Sequence, residues 1–592
     1  MVDQSVKQFT LSAWIAAFVL IALLTLCVPM FIRMPLATDV VFYDLQAETV
    51  RNGGTLYKDV FETNMPGIMW LHMLVRPIIG KSSDALRLVD LVNFSGSVLL
   101  LMFWNRRNQI SVTGMLWIGI TLFAFYFSLT EWCHFQRDTI ILFPALTALW
   151  LRRRQIDRIL KSQQADSEIS KSTVWRWAFL EGLCWATAFW IKPFVAVPAL
   201  CVWFGSLFLM RQPRKLLVDF SGLLLGGLVL GAVGIIWMWQ TGAWPWFYDT
   251  FTNWNPEYVE SRKAGWNTLR FMQFLYRFYP WFLLHLIAVP LALSTIWQCI
   301  NTWNQSKAPL ETVQRDSLLL SLMYLGWLFQ SCAFQHLFDY VHPPSHLLAI
   351  ALIGVSVSNR VQQRAFSWGW KTGMAVFAIL AVLSFPNFKP DRIQLWQTCV
   401  SHSSDLHLKA KMALMVQVDW EDLAAVRDYL ESQNLKDHEL HCYNTTLVYL
   451  YPELSLKPAT RYVFFDSTLI FCPSHRGELL ESINASPQKL IVTDLLESGF
   501  DRQAASAKSK NSKQLTPPAY PVSLTGAYPW SQPVVFRAGR YLVHQVQRPF
   551  GRFTGSGYIP TEEQVQAVAR RQQLQKEKLQ KEKSESASAS DK

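Results

Sequence analysis

Long apolar runs separated by short charged segments occupy the first two thirds of the chain. The first run, residues 12–32, reads SAWIAAFVLIALLTLCVPMFI. A helix of about 20 apolar residues crosses a bilayer core of about 30 Å, whereas a signal-peptide core has only about 7–15 residues. The run therefore predicts an uncleaved spanning helix. Ten further runs predict an α-helical polytopic membrane protein with about eleven transmembrane helices: 87–104, 110–128, 138–151, 175–192, 193–210, 218–239, 280–300, 317–334, 344–358 and 372–386.

Basic residues between these runs predict the orientation of the chain. Cytoplasmic loops of membrane proteins are enriched in Lys and Arg. In an alternating arrangement one side carries Arg106 with Arg107, Arg152 to Arg154, Arg211 with Arg214 and Lys215, and Arg360 with Arg364. That side is predicted to be the cytoplasm, and the N-terminus lies there too, in a multi-pass protein of the inner (plasma) membrane. The segments expected on the extracytoplasmic side are 33–86, 129–137, the Lys192–Pro193 junction, 240–279, 335–343 and the chain after 387.

Composition supports this class. Of 592 residues, 51% are hydrophobic and only 17% are charged, against about 25% charged in soluble domains. The net charge of +12 is explained by the basic clusters between spans, so nucleic acid is not expected as a partner. The nine Cys residues form no CxxC motif, which excludes a disulfide framework or a zinc ribbon.

The pattern changes after residue 386. Helix and strand periodicities alternate at 418–433, 439–450, 478–483 and 489–493. This alternation predicts a C-terminal extracytoplasmic α/β domain over 387–500, following a membrane body over 1–386. Residues 501–592 are expected to form a linker and a charged, partly disordered tail.

Polar residues are concentrated in the predicted extracytoplasmic segments and span ends. Ionisable groups at membrane depth are costly and indicate function by default. Five separate segments supply them, and their convergence predicts a cavity lined by carboxylates and cations. The members are Asp39, Asp44, Glu48, Asp59, Glu62, Glu131, His134, Arg137, Asp138, Lys192, His336, Asp339 and His342.

The first extracytoplasmic segment, 33–86, has its own predicted structure. Residues 38–50 form a short amphipathic helix on the membrane surface, and Asn52-Gly53-Gly54 ends it. Residues 57–62 are expected to be extended, and 68–80 form a second apolar stretch too short to span. Asp44 and Glu48 lie one helical turn apart and are predicted to face solvent.

This segment resembles a known group of enzymes. The arrangement Asp39…Tyr43-Asp44…Gly53-Gly54…Leu56-Tyr57-Lys58-Asp59-Val60-Phe61-Glu62…Pro66-Gly67 is similar to the first extracytoplasmic loop of the GT-C glycosyltransferases. Within that superfamily it resembles the prokaryotic relatives of the dolichyl-phosphate-mannose protein mannosyltransferases and the lipid A aminoarabinose transferases. The resemblance extends more weakly over about 30–390, through the order of spans and the chemistry of the loops.

The resemblance implies a GT-C fold and a sugar transfer. The donor would be a sugar on a polyprenyl phosphate, and the acceptor a hydroxyl of a protein, lipid or glycan outside the cytoplasm. Such a reaction needs a carboxylate that takes the hydroxyl proton and cations that hold the phosphate. Asp39 is the predicted base, and transfer with inversion is expected. The predicted substrate-binding residues are Glu62, Glu131, His134, Arg137, Lys192, His336 and Tyr340.

Four of these residues also have a simpler interpretation. Asp39 follows Thr38 at the start of a helical pattern, which suits a helix cap. Glu62 is equally consistent with a solvent-facing side chain, and Arg137 with neutralisation of a span end. Lys192 is also consistent with a side chain that reaches the lipid headgroups. The aromatic segment 240–279 suits an interfacial belt or a lid.

Cofactors are not indicated by the sequence. His336, Asp339 and His342 are residue types that bind divalent metals, but no further ligand motif accompanies them, so no metal is assigned. No GxGxxG or Walker A pattern occurs in a supporting context, which favours a lipid-linked donor over a nucleotide. Two alternatives stay open: a glycan ligase or polymerase that uses a lipid pyrophosphate, and a non-enzymatic transporter or flippase.

Overall fold

The structure is a computed structural model, and it describes most of the chain. The described residues are 10–107, 110–164, 169–210, 213–263, 268–306, 310–335, 338–362, 368–415, 418–500, 527–548, 550 and 552–553.

Helices dominate these residues. In chain order the α-helices are α1 (Leu11–Arg33), α2 (Thr38–Arg51), α3 (Gly67–Ile79), α4 (Ser83–Arg107), α5 (Val112–Ser128), α6 (Arg137–Gln164), α7 (Lys171–Ile191), α8 (Ala196–Met210), α9 (Pro213–Gln240), α10 (Trp244–Asp249), α11 (Asn255–Lys263), α12 (Thr268–Arg277), α13 (Leu283–Ser306), α14 (Thr312–Ala333), α15 (Pro343–Gln362), α16 (Trp368–Leu383), α17 (Pro390–Ser401), α18 (Leu406–Met412), α19 (Trp420–Ser432), α20 (Leu450–Leu454), α21 (Phe465–Phe471) and α22 (Arg476–Ala485).

Every apolar run that predicted a span falls on one of these helices, so the helical class is confirmed. Among the described residues, five helical segments are long and apolar enough to cross a membrane: Leu11–Arg33, Ser83–Asn105, Pro193–Met210, Pro213–Gln240 and Leu283–Gln305. These segments make the chain a membrane protein. The number of eleven crossings stays a prediction.

The chain divides into two compact units. The first contains 1–57, 62–251 and 262–416, and the second contains 58–61, 252–261 and 417–592, each over its described residues. The first unit thus continues past 386, where the composition changes, and includes α17 and α18. Two short segments from the predicted extracytoplasmic loops belong to the second unit, which sequence patterns did not indicate.

Helices α2 and α3 confirm the two predicted helices of the first loop. The structure differs from the prediction at Asp44, which does not simply face solvent. Its two carboxylate oxygens accept hydrogen bonds of 2.7 Å from Nε and Nη2 of Arg76, and His72 Nδ1 lies 3.2 Å away. A bidentate arginine–carboxylate pair of this kind fixes α2 on α3.

The predicted extended piece 57–62 begins differently, because residues 57–59 form a turn. Tyr57 has a positive φ of 68° and begins a tight turn over 57–59. Gly53, with φ of 89°, follows the end of α2, because glycine adopts this left-handed region without a Cβ clash. The predicted loop 240–279 likewise contains short helices, α10 to α12, with a π-helical turn at 250–254 between α10 and α11.

The second unit contains a small mixed sheet. Its strands are β1 (Leu440–Cys442), β2 (Leu490–Asp494), β3 (Ala527–Tyr528), β4 (Val534–Ala538), β5 (Tyr541–Gln545) and β6 (Arg552–Phe553). The order is β1-β2-β5-β4, with β1 parallel to β2 and the other pairs antiparallel, and β3 pairs with β6 separately. The sheet and α19 to α22 agree with an α/β domain.

The domain is longer than the sequence indicated. Strands β3 to β6 lie within 501–592, which the patterns had assigned to linker and tail. The β4–β5 hairpin turns at Gly539, with φ of 50°. Its strands are short, and only β5 is largely buried, so they carry a weak periodic signal.

Two of the arginines used to predict orientation are interior residues. Arg152 and Arg153 lie in α6 and are 0% and 1% exposed. Arg152 Nε lies 2.9 Å from Glu181 of α7 and its Nη1 lies 2.6 Å from Asp219 of α9, while Arg153 pairs with Asp316 of α14. Arg152 and Arg153 are therefore helical residues of the protein interior and not loop residues. Their acidic partners offset the cost of burying the two positive charges.

Gly67 permits the close approach of α3 to α7. A Cβ at this position would lie 2.5 Å from the backbone carbon of Trp190 and 2.6 Å from the backbone nitrogen of Ile191. Backbone atoms cannot move aside as a flexible side chain can, so only glycine fits. The contact lies immediately before Lys192, at the end of α7.

We predict that Arg152→Ala lowers the free energy of unfolding by about 3–5 kcal/mol, because Glu181 and Asp219 lose a buried partner. Arg154→Ala is the matched control on the same helix, since Arg154 is exposed, and its effect should be about 1 kcal/mol or less. Thermal unfolding of the purified chain in detergent compares them. Equal effects would contradict the network.

We also predict that Gly67→Ala destabilises the first unit by about 1–3 kcal/mol, the usual cost of overpacking. Gly227→Ala is the control, because a Cβ at Gly227 meets nothing within 4 Å. This control should be neutral or slightly stabilising. The same thermal measurement tests both variants. An unchanged stability of Gly67→Ala would show that the packing of α3 on α7 does not require glycine at this position.

Candidate functional site

Five segments of the first unit bring opposite charges together. They are the first turns of α2, the loop before α3, the junction of the 131–137 loop with α6, the end of α7, and the turn at Asp339–Val341. Electrostatic interactions link their side chains: those of Tyr43 involve Arg137, Asp39, Glu62 and Tyr340, and those of Lys192 involve Asp138, Arg137 and Asp39. Part of the predicted set of carboxylates and cations is therefore brought together in the structure.

Lys192 forms a buried ion pair. Its Nζ lies 2.5 Å from Asp138 Oδ2, and the two residues are 4% and 0% exposed. The same ammonium lies 5.5 Å from the centre of the Tyr340 ring. Lys192 therefore does not extend to the lipid headgroups, because its charge is held inside the unit by Asp138. The pair joins the first turn of α6 to the end of α7.

Arg137 is a buried cation of a different kind. It is 8% exposed and its guanidinium lies 5.8 Å from the centre of the Tyr43 ring. Within the described part of the chain, no ion pair or hydrogen bond of Arg137 is found, and its buried Nε has no partner. Burying an arginine without a hydrogen-bonded anion is costly, which favours an anionic ligand here.

Glu62 lies in a polar pocket of the same loop. Its carboxylate accepts hydrogen bonds from Gln46 Nε2 at 2.5 Å and from the backbone and side chain of Asn64 at 2.8 and 2.6 Å. It is 4% exposed, so the solvent-facing interpretation does not hold. Burial raises the pKa of the Glu62 carboxyl, although Gln46, Arg137 and Asn64 each oppose that rise.

Asp39 occupies the first turn of α2 and is half-buried. The N-cap of this helix is Ala37, which makes no capping side-chain hydrogen bond, so Asp39 is not the cap. Gln136 Nε2 lies 3.5 Å from Asp39 Oδ2. A carboxylate in the first helical turn is stabilised by the helix dipole, and its partial exposure leaves room for a reacting group.

Glu131 and His134 make contacts of another type. The Glu131 carboxylate accepts hydrogen bonds from the backbone N–H groups of Leu414 and Met415 at 2.9 to 3.2 Å. His134 is completely buried, with Nε2 2.9 Å from the carbonyl oxygen of Tyr126. These contacts stabilise the fold, and the substrate-binding role of both residues stays a prediction.

The turn before α15 is only partly described. His336 lies outside the described residues. Tyr340 is buried in the turn, 6.0 Å from the Trp132 ring, and Asp339 accepts hydrogen bonds of 2.9 and 2.7 Å from Arg277 Nη1. Within the described ranges, no group of three or more His, Cys, Asp or Glu side chains is arranged to hold a metal.

Three residues of this site were not assigned from sequence. Asp138 was placed among the residues of the predicted charged cavity but was given no substrate-binding role, and Tyr43 and Gln136 were not assigned to the site. The signal for Asp138 was its place directly after Arg137 at the start of an apolar run. Tyr43 lies one helical turn after Asp39, a spacing that puts both residues on one face.

Comparison with known proteins gives structural similarity only. No protein-family model matches the chain, and no curated protein matches it. The structure of ArnT from Cupriavidus metallidurans in the apo state aligns over 93% of this chain and 99% of that chain, with 15% identity and a TM-score of 0.49. The apo Archaeoglobus fulgidus oligosaccharyltransferase aligns over 82% of this chain and 70% of that chain, with 11% identity and a TM-score of 0.40.

Both similar structures are GT-C glycosyltransferases, and ArnT is a lipid A aminoarabinose transferase. At these identities and TM-scores, neither similarity assigns an activity or a residue's role to this chain.

The Lys192–Asp138 pair predicts a non-additive effect on stability. Lys192→Met leaves a buried carboxylate unpaired and should cost about 3–5 kcal/mol. The double variant Lys192→Met with Asp138→Asn removes both charges, so it should be more stable than Lys192→Met alone. Thermal unfolding of the two single variants and the double variant measures the coupling, and additive losses would show that the pair contributes nothing.

Proposed function

We propose that this protein is a membrane glycosyltransferase that moves a sugar from a polyprenyl-phosphate carrier to a hydroxyl of an extracytoplasmic protein, lipid or glycan. The observation that supports it best is the presence of a partly exposed carboxylate, Asp39, and a buried guanidinium, Arg137, in one charged cluster around Tyr43. The first loop, whose residues resemble those of GT-C enzymes, supplies Asp39 and Glu62.

The proposed reaction is a single displacement. The acceptor oxygen forms a bond to the anomeric carbon while the bond from that carbon to the phosphate oxygen breaks, and the polyprenyl phosphate leaves with the electron pair. Asp39 takes the hydroxyl proton as general base. One displacement inverts the anomeric configuration.

Arg137 is proposed to bind the phosphate of the donor. A guanidinium binds phosphate oxygens with two parallel hydrogen bonds, and Arg137 has no carboxylate bound to it within the described chain. Lys192 already pairs with Asp138, so we assign it a supporting role near the phosphate. Glu62 and Tyr340 are proposed to contact the sugar or acceptor, with Glu131, His134 and His336 as further predicted contacts.

We also propose an eleven-span topology in the inner membrane, with the cluster and the second unit on the extracytoplasmic side. The helices at all eleven apolar runs support this topology. Arg152 and Arg153 are buried, so they do not count among the basic loop residues that indicate the cytoplasmic side. The proposed orientation therefore depends on the other basic clusters.

The decisive experiment follows labelled sugars in the purified chain reconstituted in lipid. We expect the wild type to consume a polyprenyl-monophosphate sugar, and Asp39→Asn to lower the rate by about 100-fold or more. Glu48→Gln is the matched control, because Glu48 lies on the same helix and pairs with exposed Lys81. Its rate should stay close to that of the wild type.

Other outcomes separate the alternatives. If the monophosphate donor is consumed equally by wild type and Asp39→Asn, the base is wrong but the transferase stands. If only a polyprenyl-pyrophosphate donor is consumed, the protein is a ligase or polymerase. If lipid is bound and no donor is consumed, a transporter or flippase replaces the enzyme.

A further inference from the structure

Helix α4 carries a buried ion pair near its start. Arg87 Nη1 lies 3.9 Å from Asp90 Oδ2, and both residues are 0% exposed. They are three positions apart, which places them on one face of the helix. The proposed reaction gives neither residue a task. Both belong to the first unit, as do all the residues that they contact below.

Arg87 binds the backbone that leads from α1 into α2. Its Nε donates a hydrogen bond of 3.2 Å to the carbonyl oxygen of Met34, and its Nη2 donates to that of Pro35. These carbonyls follow the end of α1 and lie only a few residues before Asp39, the proposed base. A guanidinium holds both at once, because its donors form a rigid fork. Arg87 therefore fixes the position from which α2 begins.

Asp90 contacts the loop that leads into α6. Its Oδ1 accepts a hydrogen bond of 2.7 Å from the Tyr126 hydroxyl, and its carboxylate interacts with the backbone N–H of Phe135. The carbonyl oxygen of Tyr126 lies 2.9 Å from Nε2 of His134. Two consecutive loop residues are thus held by side-chain and backbone groups of α4 and α5. Arg137, which is proposed to bind phosphate, follows directly after Gln136.

The backbone of this loop is strained at Phe135. Its φ is 55°, a left-handed value that is unfavourable for a residue with a bulky side chain. Such conformations persist only where the surrounding structure fixes them. The Phe135 side chain is completely buried, with its ring 5.4 Å from the His72 ring. Packing and the contact with Asp90 therefore hold a strained turn two residues before Arg137.

We propose that Arg87 and Asp90 are positioning residues, through which α4 holds two loops of the candidate site against each other. Arg87 places the first turn of α2 and with it Asp39. Asp90 places the start of α6 and with it Arg137. Because the pair is attached to both loops, a shift of one loop relative to the other separates two buried charges, which is costly. The kinetic part of this inference rests on the proposed function.

The first test needs no enzymatic activity. Hydrogen–deuterium exchange of the full chain in lipid nanodiscs reports on the first turn of α2, where the Val41 amide donates to the carbonyl oxygen of Ala37. Arg87→Lys keeps a positive charge beside Asp90 but has no planar fork for two carbonyls. This variant should speed exchange in the peptide containing 38–44 by about tenfold.

A second variant covers a failure of Arg87→Lys to fold. The double variant Arg87→Met with Asp90→Asn removes both buried charges, so neither side chain is left as an unpaired ion. It also removes the donors to the two carbonyls. Exchange in 38–44 should be faster in this double variant as well.

Asp84→Asn is the matched control on the same helix. Asp84 pairs with Arg33, the last residue of α1, so this variant weakens the end of α1 and keeps the donors of Arg87. Exchange in 38–44 should stay at the wild-type rate. The simpler alternative is that Arg87 only stabilises the end of α1, as cations near the last carbonyls of a helix do. In that case Arg87→Lys would also leave 38–44 unchanged.

The second test separates the two residues by their kinetic effects. Arg87→Lys acts through the base, so it should lower kcat by about 10- to 100-fold and leave the donor KM nearly unchanged. Adding it to Asp39→Asn should cause little further loss, whereas a general loss of structure would make the two losses multiply. Asp90→Asn acts through Arg137, so it should raise the donor KM by about tenfold, as expected for one weakened bond to a charged group.

The outcomes distinguish this inference from the proposed function. Unchanged exchange in 38–44 of the Arg87 variants overturns the inference whether or not the chain is active. In an active chain, losses that multiply with Asp39→Asn, or a wild-type donor KM in Asp90→Asn, also overturn it. Faster exchange with an inactive wild type overturns the transferase proposal alone and supports the link between α4 and α2. Faster exchange together with the two kinetic effects supports both.

Discussion

The arrangement of the membrane unit depends on neutralising charge inside an apolar bundle. Each ion removed from water costs several kcal/mol, which is recovered only through a close partner of opposite charge. Lys192 and Asp138 meet this requirement at the end of α7 and the start of α6. Because the two helices must meet for the charges to pair, the ion pair determines which helix ends are adjacent and thereby where the candidate site forms.

Helix α6 carries paired charges at both of its halves. Asp138 in its first turn pairs with α7, and further along Arg152 pairs with acids of α7 and α9 and Arg153 with one of α14. Such pairs are weak evidence for stability, but breaking one leaves an uncompensated buried charge, which disfavours other arrangements of these helices. Arg137 departs from this pattern, since no ion pair compensates its charge within the described residues. A buried charge without a partner of opposite charge is usually found at a functional site.

The loops differ from the helices in how their positions are fixed. Helix α2 is attached to α3 by the Asp44–Arg76 pair, within a single unit. Residues 58–61 obtain their contacts from the C-terminal unit, where Phe61 packs on Trp254 and Tyr462. The contacts of Phe61 in that unit, the carbonyl oxygen of Arg461 and the ring of Tyr462, lie at least 400 residues away from it in sequence.

The sequence by itself determined the helical membrane class, the position of every apolar run, the two helices of the first loop and the residues at which carboxylates and cations are concentrated. These features depend on local periodicity and on the energetic cost of charge in lipid, which short windows of sequence record. The partner of Lys192, the burial of Arg152 and Arg153, the contacts of Glu131 with Leu414 and Met415, and the membership of 58–61 in the second unit were decided by tertiary structure. Each joins residues distant in the chain, and a side chain that pairs in the interior has the same sequence pattern as one that faces water.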